Sequence, residues 1–229
     1  MMDYEIDYDK MFRDVALSRV SIDRLERLHD PVEQEIRSVY RYMESRVDTD
    51  EDQFDDFGDE LEQIEDLLGI AFVAAQVYLT TVRTSMVRLS KDLRKPPGVL
   101  GDDKAYTIFD YVDDEGLVNP IEPKSGLRFV RVVNAVANYW KHQDEWPTRL
   151  MPVQLDNKDE AMARHWDTSK VSHKNQSDTI RIVTSIGMQP GDLNMQVAAS
   201  ALGISDLWDL SPLRKVLEDW ACSVLKTTS

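Results

Sequence analysis

Apolar residues recur at intervals of three and four along most of this chain, a spacing that places them on one face of an α-helix. The longest such segment runs from Gly58 to about Lys91, and around residues 71–79 apolar side chains surround the whole helix. This pattern predicts the central helix of a bundle. Its expected buried stripe consists of Leu61, Ile64, Leu68, Ala71, Ala75, Tyr78, Val82, Met86 and Leu89.

Shorter helical patterns lie on both sides of this segment. Residues 7–29 predict one helix, and Asp30, Pro31 and Glu33 predict the start of a second helix that ends near Arg46, since they suit an N-cap, a first helical position and a capping box. Further helices are expected at 127–146, 178–186, 192–202 and 212–226. The chain is therefore expected to be an all-α helical bundle, with a loop-rich or small hairpin insertion near residues 95–126.

The same pattern divides the chain into four parts. We expect an N-terminal helical segment (1–47), an acidic linker (48–60), a helical core (61–146) that contains the insertion, and a C-terminal helical segment (147–229) packed on that core. The linker holds eight acidic residues among 13, which predicts a solvated connection, with a docking strip for a basic partner as the alternative.

The charge balance limits the classes of partner. The chain has 42 acidic and 27 basic residues and a net charge of −15, which argues against stable binding to duplex DNA or to anionic membranes. The acidic N-terminus lacks the apolar core of a signal peptide, and the longest near-apolar run, 13 residues, is too short to span a bilayer. One cysteine excludes a multi-cysteine zinc site. We expect a cytoplasmic protein without metal or cofactor, whose charge still permits a basic protein partner or a nucleic acid held in one small pocket.

The helix expected at 127–146 carries two opposed arcs on a helical wheel. Asn134, Asn138 and His142 are each four residues apart and therefore stack on one side, where two asparagines are unusual because Asn is a poor helix former. The apolar arc holds Phe129, Val132, Val133, Val136, Ala137 and Trp140. The opposite arc, called the polar stripe below, holds Arg131, Asn134, Asn138, Lys141, His142 and Glu145.

Residues 137–146, with the sequence ANYWKHQDEW, resemble the signature helix of HEPN-domain proteins. These are small α-helical bundles, often dimeric, and many are metal-independent ribonucleases of toxin–antitoxin and phage-defence systems. The family hallmark is an arginine followed by a polar residue, a short spacer and a histidine, of which Asn138 and His142 match the last two. Ala137 stands at the arginine position. The resemblance therefore implies that Lys141 supplies the positive charge, that Arg131 supplies it from elsewhere, or that the site is inactive.

The resemblance implies RNA cleavage by the 2′-hydroxyl, with catalytic roles for His142, Asn138, Lys141 and Arg131. Asn134 and Glu145 are expected to contribute to binding. Histidine suits proton transfer because its unperturbed pKa is about 6.5, and Asn138 could hold the imidazole or the phosphate. A polar helix–helix contact without chemistry is the structural alternative.

Two expectations concern partners. An antiparallel homodimer through this helix would bring Arg131 of one chain near His142 of the other. The functional alternative is a non-catalytic acidic immunity protein or antitoxin that binds a basic toxin, because complementary charge speeds association and sets specificity.

Overall fold

The computed structural model describes Asp14, Ser18 and residues 21–47, 57–92, 129–142, 174–189 and 193–226. These residues form six helices and no strand: α1 (Asp23–Val47), α2 (Gly58–Asp92), α3 (Phe129–His142), α4 (Lys174–Ser185), α5 (Asn194–Ala201) and α6 (Ser211–Lys226). The expectation of an all-α helical bundle is confirmed. The whole of the predicted insertion with its hairpin (95–126), Glu145 and residues 48–56 of the acidic run lie outside the described residues.

The helix α1 corrects one prediction, because it passes through Pro31 without a break. Proline inside a helix costs about 3 kcal/mol, since it removes one backbone bond and crowds the preceding turn. Here the buried positions lie on one continuous face that packs against α2: Leu25, His29, Val32, Ile36 and Val39. Burial of this face offsets the cost, so tertiary packing overrides the local start signal.

The long helix α2 occupies the centre of the bundle, as predicted. It contacts α1, α3, α5 and α6, and the stripe members from Ile64 to Val82 are buried. The helix is not buried on all sides, because the apolar residues Ile70 and Val77 remain more than half exposed. The helix begins at Gly58, so the end of the predicted linker forms its first turn.

Trp140 fixes how closely α3 approaches α2. The indole ring lies directly over Gly69 of α2, where a Cβ atom would overlap it. Helix α3 runs antiparallel to α2, since Trp140 meets Gly69 while the earlier residue Asn134 meets the later residue Gln76. On its other side α3 packs against α4, which explains why Val130, Ala135 and Tyr139 are buried as well as the predicted apolar arc, of which Trp140 alone is only half-buried.

Two glutamates from the first helices hold the C-terminal helices in place. Glu65 of α2 accepts hydrogen bonds from the backbone N–H groups of Met195 (2.5 Å) and Gln196 (3.3 Å) at the start of α5. Glu33 of α1 accepts from the N–H of Leu210 (2.6 Å), just before α6. The unpaired amides and positive dipole end of a helix favour such carboxylates.

Helices α4 and α5 end just before the glycines that were expected to stop them. Gly187 (φ 97°) and Gly203 (φ 78°) adopt left-handed backbone conformations that glycine tolerates without a Cβ penalty. Leu193, immediately before α5, also has a positive φ of 61°.

Among the described residues, Gly58–Ser85 is long and apolar enough to cross a membrane by length and composition alone. Half of the apolar window is buried inside the bundle, and the core helix of a soluble protein meets the same test.

Candidate functional site

The middle of the predicted polar stripe faces a neighbouring helix of the bundle rather than solvent. Asn134 and Asn138 are half-buried and face α2, where they meet the side chain of Gln76. Arg131 is also half-buried, Lys141 is exposed, and His142 is the half-buried last residue of α3. The wheel of one isolated helix could not show this, because the partner of the two asparagines comes from a helix that is 58 residues away.

Gln76 forms a compact amide network with the two asparagines. Its Nε2 donates to Asn138 Oδ1 (2.8 Å) and to Asn134 Oδ1 (2.9 Å), and lies 3.3 Å from the Asn134 carbonyl oxygen. An amide nitrogen has two hydrogens, so the two short bonds use its full donor capacity. The carboxamide nitrogens of both asparagines take no part in these bonds. The network joins the middle of α2 to the second half of α3.

Gln76 also lines a cleft of about 580 Å³ that is formed by α1, α2 and α3. Its volume lies within the range of roughly 300–1,000 Å³ that is typical of small-molecule sites. We call it the cationic cleft. The described residues that line it are Arg24, Gln76, Val77, Thr80, Thr81, Thr84, Ser85, Arg88 and Lys141.

The cationic cleft has an unusual charge for this chain. Three cations from three helices, Arg24, Arg88 and Lys141, line it, and its described lining contains no acidic side chain. Acidic residues outnumber basic ones by 42 to 27 in the whole chain. The ion pairs at Glu60 and Glu33 are made by other arginines. A cleft lined by one sign of charge concentrates the local potential and favours an oppositely charged ligand.

One wall of the cleft consists of threonines on consecutive turns of α2. Thr80 donates its hydroxyl hydrogen to the Gln76 carbonyl oxygen (3.0 Å). Thr81 donates likewise to Val77 (2.9 Å), and Thr84 to Thr80 (2.9 Å). A hydroxyl that donates its hydrogen still carries lone pairs, so this wall offers hydrogen-bond acceptors to a ligand.

Lys141 is the member of the polar stripe that lines the described part of this cleft. His142 follows it directly, whereas Arg131 lies 11 residues before His142, which is about 16 Å along a helix axis. Glu145 lies outside the described residues. The structure therefore connects Lys141, Asn134 and Asn138 through Gln76 and the cleft, and Arg131 is not among the described residues that line the cleft.

Sequence reasoning missed Gln76, Arg24 and Arg88. A local signal for part of the cleft was present in the polar residues of α2 that lie outside its apolar stripe: Thr80, Thr81, Thr84 and Arg88. No local signal existed for Arg24, which reaches the cleft only after α1 packs on α2.

Ala137 stands where the HEPN hallmark has an arginine, and its side chain is wholly buried. A cation for this site must therefore come from other positions. No protein-family model, no curated protein and no solved structure matches this chain. The resemblance of residues 137–146 to the HEPN signature helix accordingly stays a prediction.

Proposed function

We propose that this chain is a HEPN-like protein of a toxin–antitoxin or phage-defence type system that binds RNA at the cationic cleft and cleaves it with His142. The observation that carries the proposal is the cluster of Arg24, Arg88 and Lys141 in a chain of net charge −15. Phosphate contacts by Lys and Arg dominate the affinity of proteins for nucleic acids. Lys141 belongs to this cluster, and His142 is its neighbour in the chain.

The reaction needs two proton transfers and one cation. A base takes the proton of the 2′-hydroxyl, the 2′-oxygen attacks phosphorus, and the bond from phosphorus to the 5′-oxygen breaks as an acid protonates that oxygen. His142 takes one of the two proton-transfer roles, and Lys141 offsets the charge that builds up on the phosphate. No metal enters this proposal.

The amide network changes the proposed role of Asn138. Its Oδ1 accepts a hydrogen bond from Gln76, so we assign Asn138 and Asn134 to positioning the last turns of α3 rather than to contact with the phosphate. Two short bonds from one buried amide tie the backbone that carries Lys141 and His142 to α2.

Expression in a bacterial host tests the proposal. We expect growth arrest with the wild-type chain, loss of arrest with His142→Ala, and cleavage of purified RNA in the presence of a metal chelator. Arg41→Ala, an exposed change on α1 outside the cleft lining, is the matched control and should arrest growth as the wild type does. Arrest that persists in His142→Ala would contradict the proposed catalytic role.

The net charge of −15 supports a second candidate, a non-catalytic immunity protein that neutralises a basic toxin. In that case the chain alone would leave growth unchanged, the purified protein would not cleave RNA, and a basic toxin would co-purify with it.

A homodimer through α3 stays a prediction, and the amide network limits which residues of α3 could form its interface. Asn134 and Asn138 bond within their own chain, so a dimer would have to use the rest of the polar stripe. Light scattering should give twice 26.4 kDa. A mass of 26.4 kDa would remove the dimer and the role of Arg131 across a two-fold axis.

A further inference from the structure

We propose that the cationic cleft is a docking surface for an acidic segment of this same chain, residues 3–9, which lie before α1 and outside the described residues. The carboxylates of the segment meet the cations of the cleft, and its tyrosines meet the threonines of α2. The contact itself is independent of the proposed function. Only its consequence, competition with RNA for the cleft, rests on that function.

The segment combines two kinds of side chain in strict alternation. Residues 3–9 have the sequence DYEIDYD, and residues 1–9 contain no basic residue. In an extended chain successive side chains point to opposite sides, so the four carboxylates line one side and the three large apolar side chains line the other. The acidic positions are Asp3, Glu5, Asp7 and Asp9, and the apolar ones between them are Tyr4, Ile6 and Tyr8.

The acidic side of this segment complements the charge of the cleft. All three cations of the lining are exposed and therefore reachable, and no acidic side chain is among the residues described there. Separate carboxylates can pair with separate cations, so the contact does not require the cations to converge on one point. The long stems of these cations cover apolar surface while their charged ends meet the carboxylates: Arg24, Arg88 and Lys141.

The apolar side of the segment complements the floor and the threonine wall. The three threonine hydroxyls donate their hydrogens to carbonyls of α2, so they present lone pairs to the cleft and require donors. Carboxylates offer no donor, whereas the phenol groups of Tyr4 and Tyr8 each offer one. Val77, which is 57% exposed and lines the cleft, supplies apolar surface for Ile6.

The position and length of the segment suit the cleft. Arg24 lies in the first turn of α1, so the chain that precedes α1 leaves the bundle beside the cleft. The lining residues of α2 from Gln76 to Arg88 span about 18 Å, and residues 3–9 span about 20 Å when extended. A segment tethered this close acts at an effective concentration of about the millimolar range, so exposed ion pairs that are individually weak suffice.

The acidic run at 48–56 cannot take this place, although it is richer in acid. It connects α1 to α2 at the opposite end of the pair, where Arg46 and Glu60 form an ion pair of 3.5 Å. Arg46 lies about 33 Å along α1 from Arg24. The residues between Val47 and Gly58 must leave and return, which limits their reach to about 20 Å. This run therefore provides a matched control.

A zero-length crosslink on the full-length protein tests the contact. A carbodiimide joins a carboxylate to a lysine amine as an amide where the two groups touch. Trypsin cuts after Lys10, so one peptide, residues 1–10, carries all four carboxylates of the segment. We expect this peptide to be joined to the peptide 132–148, which contains Lys141, in a product that has the mass of one chain, 26.4 kDa.

Charge variants show whether the cations of the cleft hold the segment. Lys141→Arg keeps the charge without the reactive amine and should abolish the link. Arg24→Glu and Arg88→Glu should each lower the yield at least about threefold, because an attraction becomes a repulsion. Arg41→Glu, an exposed change on α1 outside the described lining, should alter the yield less than about 1.5-fold. Circular dichroism verifies that each variant remains helical.

Protection of the Lys141 amine provides a second measurement. Neutralising the segment should raise the acetylation rate of Lys141 about fivefold if the segment covers the cleft about four-fifths of the time. That variant combines Asp3→Asn, Glu5→Gln, Asp7→Asn and Asp9→Asn. The control makes the same change of net charge in the acidic run and should leave the rate unchanged. It combines Asp50→Asn, Glu51→Gln, Asp52→Asn and Asp55→Asn.

Three results would overturn the inference. A link found only in a two-chain product would assign the cleft to a second copy, and a link from Lys141 to residues 95–126 would assign it to the insertion. Equal acetylation rates in the two neutralised variants would show that the segment does not cover Lys141.

RNA binding separates this inference from the proposed function. In the His142→Ala background, the variant with the neutralised segment should bind an RNA oligonucleotide about fivefold more tightly than the control of equal net charge. A link to Lys141 without RNA binding by either variant would overturn the proposed function and leave the docking in place. RNA binding at the cleft without any link would overturn the docking alone.

Discussion

The buried imidazole of His29 makes the stability of this bundle depend on pH in a defined direction. His29 is fully buried on α1, and its Nε2 lies 3.1 Å from the Ala71 carbonyl oxygen of α2. That carbonyl only accepts, so Nε2 carries the proton, and Nδ1 has no partner in the described structure. Burial lowers the pKa of His29 from 6.5 to about 4, the bond to Ala71 and the charge of Asp30 oppose this, and the charge of Arg214 adds to it.

The magnitude follows from linkage. The folded state holds His29 neutral, while in the unfolded chain its imidazole binds a proton with a pKa near 6.5. The contribution of His29 to the free energy of unfolding is therefore fully present above pH 6.5 and is lost as the pH falls towards 4. The difference between the pKa values of His29 in the unfolded and folded states corresponds to about 3 kcal/mol, at 1.36 kcal/mol per pKa unit. Between about pH 7.5 and about pH 5.5, His29 should contribute a loss of about 1.3 kcal/mol.

Urea unfolding followed by circular dichroism at these two pH values measures the effect. The comparison protein is His29→Leu, which retains every other titratable group. Glu65 acts in the opposite direction, because burial raises its pKa, and it is present in both proteins and cancels from the comparison. We expect the free energy of unfolding of the wild type to fall by about 1.3 kcal/mol more than that of the variant. An equal fall in both proteins would refute the reasoning.

Two further predictions test the packing of the helices. Gly69→Ala should lower the free energy of unfolding by about 1–3 kcal/mol in urea titrations, because the new methyl group overlaps Trp140. Gly58→Ala is the control, because its methyl group meets no atom and the change should be neutral or stabilising. Equal effects of the two changes would contradict the close approach of Trp140 to Gly69. Glu33→Ala should lower the free energy of unfolding by about 2–4 kcal/mol in thermal or urea unfolding, because it removes the nearly buried acceptor of the Leu210 N–H and of Arg214. The exposed Glu35→Ala is the control and should cost less than about 0.5 kcal/mol. An equally small cost for Glu33→Ala would show that this contact does not hold α6 in place.

The helices of this fold could be predicted from sequence because their signals are local. The apolar period of α2 and the glycines after α4 and α5 act within a few residues, and the predicted elements agree with the observed ones there. The predicted break at Pro31 is wrong because the buried face of α1 continues through it, and Glu33, read as part of a capping box, bonds instead to Leu210 just before α6 and to Arg214 in its first turn. Contacts that distant in sequence leave no local pattern.

The candidate site could be predicted only in part for the same reason. The polar stripe on α3 was visible from sequence, and Lys141 does line a cleft. The amide network and the cationic cleft are made by side chains of α1 and α2, which packing brings to α3. A helical wheel reports which residues share a face, and it cannot report what that face meets.

The central claim is that RNA binds at the cationic cleft, and photo-crosslinking tests it most directly. Full-length His142→Ala protein would be irradiated with RNA that carries a photoreactive uridine, and the crosslinked peptides would be identified by mass spectrometry. The account predicts crosslinks concentrated on residues 77–88 of α2 and near Lys141, and their loss in Arg24→Glu but not in Arg41→Glu. Crosslinks confined to α4–α6, or unchanged by Arg24→Glu, would contradict the account.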